Sequence, residues 1–396
     1  MPSHIKTQSS NLQRHRTALL LGAGFSAKAL IPYLQQREYH IIATTRSAQK
    51  AADLESLGVQ AILYSGSLSP ALQTALDQAE LILSSIPPRD YGDPFLAALP
   101  RAAFDMAPNA RWVGYLSATS VYGDRQGQWA FEDELLYPVT QRGKNRMAAE
   151  LQWLESGLPV HVFRLAGIYG PERNPFARLR AGKARAVIKD GHIVNRIHVD
   201  DIASAVLASI DTPNPVSLYN IADNNPAPPQ DVLNFAAALI GSEPPKKVSH
   251  DSTDISDMAR SFYVETKRIS NARIKAELGW TPRYENYVQG LMATLKAENG
   301  NANAVWLAGH IMVPKADLKS VKLALPNHIR LTRQEPDCTS FYIQQDTNDP
   351  QRFQVIESFA SPAAFRRHQA RMKNSEWKLV SKNALRSYDI IGLDES

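Results

Sequence analysis

Cysteine is nearly missing from this 396-residue chain: the single Cys338 can form no intrachain disulfide. No Cys/His cluster stands at ligand spacing, so no metal site is expected, and a reducing, cytoplasmic setting fits best. Long apolar runs are lacking as well. None approaches the ~18 residues of a membrane span, which argues against a membrane partner. Lys and Arg outnumber Asp and Glu by only 44 to 39, without a basic tract or interleaved aromatic platforms, which argues against nucleic acid. Acidic residues are absent before Glu38. Arg14-His15-Arg16, the apolar run after it and Ala27-Lys28-Ala29 imitate a secretory signal, and an organelle transit peptide shares the acid-poor composition. Cleavage there would delete the first strand of a continuous βαβ pattern, so residues 1–16 are read as a flexible tail.

What is present is an ordinary globular composition, 44% hydrophobic and 21% charged, over a length that suits two or three domains. The organising stretch is Thr17 to Leu30, TALLLGAGFSAKAL. A short apolar run suits a buried parallel strand, and Gly22 and Gly24 allow a tight turn and a close approach of backbone to a pyrophosphate. The helix that opens at Phe25 and Ser26 would offer its free amides to the anion. Ala27 stands at the third glycine position of G-x-G-x-x-G, so the context has to carry the reading.

That context is a βα rhythm. After a helix over Ala27 to Gln36, in which Pro32 must be tolerated or mark a break, HIIATTR reads as strand two. It ends on Thr45 and Arg46, where an NAD site would place an acid for the ribose 2′-hydroxyl. An arginine beside small hydroxyls suits a 2′-phosphate, so NADP is expected rather than NAD, with Arg46 as a plain solvated residue the competing reading. A polar helix (48–57), AILY (61–64), LILSSIPP (81–88, whose Ser84 and Ser85 are expected cofactor contacts), WVGYLSATSVYG (112–123), a helix over Gly143 to Gly157 and HVFRLAGIYG (161–170) complete a doubly wound parallel sheet.

LLLGAGFSA, SATSVYGD, VFRLAGIYGPER (162–173), NRIHVDDIASAV (195–206) and ISNARIKAELGWTPRY (269–284) resemble, in order and spacing, the extended short-chain dehydrogenase/reductases of the NAD-dependent epimerase/dehydratase group. The resemblance covers about residues 17–295. It implies a Rossmann sheet binding NAD(P), a substrate lobe above its carboxyl edge, and dinucleotide contacts from Ser117 and Arg164. The family's chemistry uses a tyrosine, a lysine four residues later and a Ser/Thr. Here the segment reads Pro138-Val139-Thr140-Gln141-Arg142-Gly143-Lys144-Asn145-Arg146, which puts Arg142 and Arg146 at the Tyr and Lys positions, and Ala118 falls where the hydroxyl should be. Arginine does not release a proton in a protein, so the relay is missing. Thr119 and Tyr122 remain as substitute candidates, Tyr122 weighed against a packing role. R-G in place of Y-G is similar to the atypical, YeeZ-like branch. An oxidoreductase with an unrecognised acid/base and a non-catalytic NADP sensor both stay open. Asp200 and Asp201 are read as the start of the helix Ile202 to Ile210, and His198 as a structural histidine.

A polar, Asn/Ala/Gly-rich stretch follows, read as a linker over 296–303. Beyond it, strands over 305–313, 338–345, 352–360 and 385–391 and helices after 316 and Ser361-Pro362 give the βαββαβ order of a ferredoxin-like α+β domain, 304–391, with 392–396 as a tail. TRQEPDCTSFYI (332–343) and FQVIESFASPAAFRRHQ (353–369) resemble the antibiotic biosynthesis monooxygenase family. That resemblance implies oxidation of phenols or quinols without metal or flavin, and a homodimer through this domain. It needs a base and an apolar wall: His368 first, then His328 and Glu357, with Phe341, Phe365 and Trp377 around them. The expected function is thus an NADP-binding, oxidoreductase-like domain fused to a cofactor-independent monooxygenase-like one, acting on a small molecule.

Overall fold

The computed structural model describes residues 16–90, 92–253, 255–300, 303–346 and 349–393. Most of the expected N-terminal tail, part of the linker and the last residues lie outside them. No described helix is long and apolar enough to cross a membrane.

The first domain is built on seven parallel strands. β1 (Thr17–Leu21), β2 (His40–Thr45), β3 (Gln60–Leu63), β4 (Leu81–Ser84) and β5 (Trp112–Ala118) are followed by Val160–Leu165 and Ser217–Ile221. Their spatial order is β3-β2-β1-β4-β5 and then the last two, the doubly wound arrangement in which the chain reverses direction between β1 and β4. β1 is buried along its whole length because helices cover both faces of the sheet, as a parallel sheet requires. One apolar layer joins Leu20, Ile41 and Leu83 to Leu30 and Ile202; the other joins Leu19, Ile42 and Val113 to Leu72 and Trp153.

The first helix runs unbroken over Phe25–Gln36 with Pro32 inside it. Pro32 lies on the exposed side, so the carbonyl it frees faces water and the helix need not end. The helix expected from Gly143 begins earlier, Gln141–Leu154, because the Thr140 hydroxyl accepts the Gly143 amide at 3.1 Å. The acidic pair also differs from expectation. The helix Val199–Asp211 is capped by the His198 ring, which accepts the Asp200 amide at 3.3 Å. Asp201 is buried and instead accepts the amides of Arg283 and Tyr284 at 2.6 and 3.2 Å, tying the small lobe to the sheet.

The second domain is an antiparallel sheet in the order Cys338–Gln345, Arg352–Phe359, Val305–Met312, Leu385–Ile391. Helices Leu318–Arg333 and Pro362–Lys373 cover one face, the ferredoxin-like plan, with a short extra helix Glu376–Val380. The expected linker is shorter than read: helix Tyr287–Glu298 continues into it. That helix has a packing reason to continue. Leu291, Met292 and Leu295 share an apolar cluster with Trp306, Ala308 and Ile356 on the other face of the second sheet.

Candidate functional site

A cleft of about 990 Å³ opens at the carboxyl ends of β1, β2 and β4, where the strand order reverses. Gly22, Ala23, Gly24, Thr45, Arg46 and Ser85 line it, as the sequence predicts for most of them. Gly22 has φ +83°, and a Cβ there would stand 3.2 Å from both Ser85 Oγ and Ile86 Cγ1. The turn is fastened from both sides. Gly22 donates its amide to Thr44 Oγ1 at 2.8 Å, and the Ser85 hydroxyl donates to the Gly22 carbonyl. Gly24, by contrast, has no atom within 4 Å of a would-be Cβ, so open space begins at its α-carbon. It caps the Phe25–Gln36 helix without a side-chain hydrogen bond, and no acid stands in the first turn. The amides of Phe25 and Ser26 therefore keep the unspent donors and positive dipole end of a helix start.

The sequence reading missed part of the wall. Ser47, Lys50, Ser65, Ser67 and Arg89 also line the cleft, and among the described residues no Asp or Glu does. Lys50 was legible: Ser47 caps the helix Ala48–Ser56 and accepts the Lys50 amide, which brings Lys50 into the first turn beside Arg46.

Three expected dinucleotide contacts are not available to a ligand. Ser84 is fully buried below the cleft. Ser117 donates to Glu150, and Arg164 pairs with the same carboxylate at 3.0 Å, both partners being within 3% of full burial. Arg164 is 3% exposed and also donates to the Tyr122 hydroxyl at 2.9 Å. The Tyr122 hydroxyl in turn donates to Asn220 Oδ1 at 2.7 Å, and burial pushes its pKa up to about 12. The phenol is fully buried and held at both ends, the setting that the packing reading of Tyr122 expects.

The helix that carries the two arginines begins at the Arg89 end of the cleft, where Asn145 donates to Asp90 at 3.0 Å. Arg146 donates to the Leu116 carbonyl at 2.9 Å and to the Tyr115 hydroxyl at 3.1 Å, which fixes its guanidinium beside β5. Arg142 is exposed, with its guanidinium 5.4 Å from the centre of the Phe262 ring. Thr119 is half-buried in the turn that leaves β5. Gly143 survives between the arginines for steric reasons: a Cβ would lie 2.6 Å from the Ser120 carbonyl oxygen.

In the second domain His368 is 1% exposed between Phe359 and Phe341. Its Nδ1 lies 3.1 Å from Glu335 and its Nε2 3.6 Å from Glu357. Burial lowers the imidazole's pKa and raises that of Glu357 to about 8. His328 is stacked on Trp377 at 4.5 Å, and burial lowers it to about 3. The expected base and walls do gather in one place, but as an enclosed cluster.

A seven-stranded Rossmann sheet with a dinucleotide-type cleft at its reversal point, followed by a ferredoxin-like domain, defines an epimerase/dehydratase-type fold fused to a monooxygenase-type one. Residues 304–377 match the antibiotic biosynthesis monooxygenase family. Over 281 residues the chain is 31% identical to Protein YeeZ of Escherichia coli (strain K12), covering 67% of this chain and 95% of that one. By its first domain the chain belongs to the YeeZ family. A functionally unknown conserved protein of Silicibacter pomeroyi is 43% identical, with TM-score 0.68 over 71% of this chain and 99% of that one. The dTDP-glucose 4,6-dehydratase of Bacillus anthracis, solved with NAD, shares the fold at 20% identity and TM-score 0.59, over 72% and 97% of the two chains.

Proposed function

We propose that the first domain binds NADP(H) and acts as an oxidoreductase on a small electrophile such as a quinone or carbonyl compound. The observation that carries the cofactor choice is the cationic wall: Arg46 and Lys50 stand with Ser47 in a cleft whose lining, among the described residues, holds no carboxylate. The structural neighbour from B. anthracis holds NAD, and the same turn geometry serves either dinucleotide, so the choice rests on the wall. The free helix amides and the open space at Gly24 suit a pyrophosphate, and bound NADPH would supply a hydride. Arg142 and Arg146 cannot pass a proton. What they can do is hold negative charge that develops on the substrate, which favours acceptors whose reduced anion takes its proton from water, as a quinol does.

Fusion motivates a role for the second domain in oxygenating or protecting a phenolic product, with His368 as base. Replacing His368 by Ala should then abolish quinol-dependent oxygen uptake, and full retention would remove it from the chemistry. The single cysteine suits a reducing, cytoplasmic setting.

The test of the cofactor reading is a titration of the full chain with NADPH and NADH. NADPH should bind at least about tenfold more tightly, a gap that one charge-assisted contact can supply. Arg46→Ala should close that gap and leave NADH where it was. Equal affinities in the natural chain would sink the assignment. Tight NADPH binding with no oxidation by any quinone or carbonyl would favour the sensor reading.

A further inference from the structure

A second cavity of about 350 Å³ lies away from the dinucleotide cleft, in the small lobe. Tyr169, Arg173, Asn174 and Arg196 line it together with the apolar Val232, Leu233 and Leu291. Its volume falls at the lower end of the range for small-molecule sites.

Two observations point to a missing anion. Arg196 follows the buried Asn195 and precedes the buried Ile197, and its guanidinium donates to two backbone carbonyls, Val194 at 3.0 Å and Ala227 at 3.2 Å. Among the described residues it makes no ion pair within 4.0 Å. Asp223 and Asp231 lie near enough to act on it through space without reaching it. The half-buried guanidinium gives its direct hydrogen bonds only to carbonyls and meets these acids only through space, so an incoming carboxylate would supply the close counter-ion it lacks. The second observation is Tyr169. It is 8% exposed, and its hydroxyl has no hydrogen-bond partner among the described residues. Arg196 and Tyr169 lie on the same face of their two-stranded ladder, since Arg196 pairs with Gly167 and His198 with Tyr169.

We propose that this cavity is a second ligand site, taking a small monocarboxylic acid with an apolar body. The carboxylate sits between Arg196, Arg173 and the Tyr169 hydroxyl, and the body lies against Val232, Leu233 and Leu291. Two guanidiniums with one hydroxyl donor match a carboxylate, and the apolar remainder of the lining leaves a bare inorganic anion without complementarity. The site does not depend on the dinucleotide reading, because neither glycine of the turn nor Arg46 contributes to it.

Calorimetric titration of the full chain with benzoate, benzyl alcohol and inorganic phosphate tests it. Benzoate should bind saturably at one site, with NADPH present or absent, and benzyl alcohol and phosphate should bind at least about tenfold more weakly. Arg196→Met should abolish benzoate binding. Tyr169→Phe and Arg173→Ala, which keep the buried shape, should each weaken it by about tenfold. If Arg196→Met does not fold, those two variants decide. Benzoate binding that is unchanged in both, or matched by benzyl alcohol, or displaced one for one by NADPH, would overturn the proposal.

Discussion

At the scale of single residues, the buried Arg164–Glu150 pair explains why so much of the expected chemistry is unavailable. Ser117, Arg164 and Asn220 stand side by side across three neighbouring strands, and Glu150 reaches Ser117 and Arg164 from the helix above. Removing one partner leaves the other charged and dry, which costs about 3–5 kcal/mol. Arg164→Met should lower stability by that amount in denaturant unfolding, and adding Glu150→Leu should restore part of it. A double variant no more stable than the single would show that the pair's neighbours, not the stranded charge, set the cost. The pair was partly legible in the sequence, because Glu150 falls seven residues after Gly143, on the buried side of an amphipathic helix. Strand register was not legible, and register is what brings Ser117 beside Arg164. Glu357 carries a different prediction. Its carboxyl titrates near 8 in the folded chain, held up by burial and by Glu335, and near the ordinary value when unfolded. The folded state thus keeps a proton that the unfolded state loses, so this contribution to stability is full at low pH and disappears as pH rises to about 8. His328 and His368 are lowered by burial and act oppositely, but only below the ordinary imidazole range. The melting temperature of the natural chain should therefore fall between about pH 6.5 and 8, and Glu357→Gln should flatten that part of the curve. Parallel curves would place the proton elsewhere.

Among elements, the turn between β1 and the first helix separates stability from binding. At Gly22 a side chain would strain a left-handed backbone and press on Ser85 and Ile86, so Gly22→Ala should reduce both folding stability and NADPH affinity. At Gly24 the backbone is extended and the space beside it is open. Gly24→Ala should leave the melting temperature within about 2 °C of the natural chain, since little packing changes. It should still weaken NADPH by about tenfold or more by occupying the pyrophosphate's approach. Thermal unfolding and a binding titration on the same samples check this; a loss of stability in Gly24→Ala without a loss of affinity would reverse the assignment. Element identity was legible because an apolar run, two glycines and a helical pattern leave few alternatives. The helix Phe25–Gln36 was harder to bound, since Pro32 signals a break that its exposed position makes unnecessary. The helix start at Val199 was misread for a related reason. Two acids after a strand look like caps, whereas His198 takes the cap and burial draws Asp201 toward residues far along the chain.

For the whole molecule, the two domains are joined by more than a covalent link. One face of the second sheet is closed by its own helices, through Leu307, Phe341 and Phe353. The other face, through Trp306, Ala308 and Ile356, lies on Leu291, Met292 and Leu295 of the first domain. Side-chain polar contacts frame this seam, with Gln289 donating to Asp389 at 2.7 Å. The homodimer through the second domain that the sequence resemblance implies would therefore have to use the edge strands Cys338–Gln345 or Leu385–Ile391, because the chain already covers both faces of the sheet. This arrangement was not legible from a sequence that reads as two patterns with a polar stretch between them. The seam's apolar residues are indistinguishable from core residues until the two sheets are placed. A shared apolar cluster couples the unfolding of the parts it joins, so the natural chain should melt in a single calorimetric transition. Ala308 is fully buried in the seam, and Ala308→Glu would set a carboxylate among apolar side chains with no partner. That variant should split the transition in two while NADPH binding, which depends on the distant turn, persists. A single transition that merely shifts to lower temperature in Ala308→Glu would mean that the domains stay coupled through other contacts, and two transitions already present in the natural chain would mean that the seam does not couple them at all.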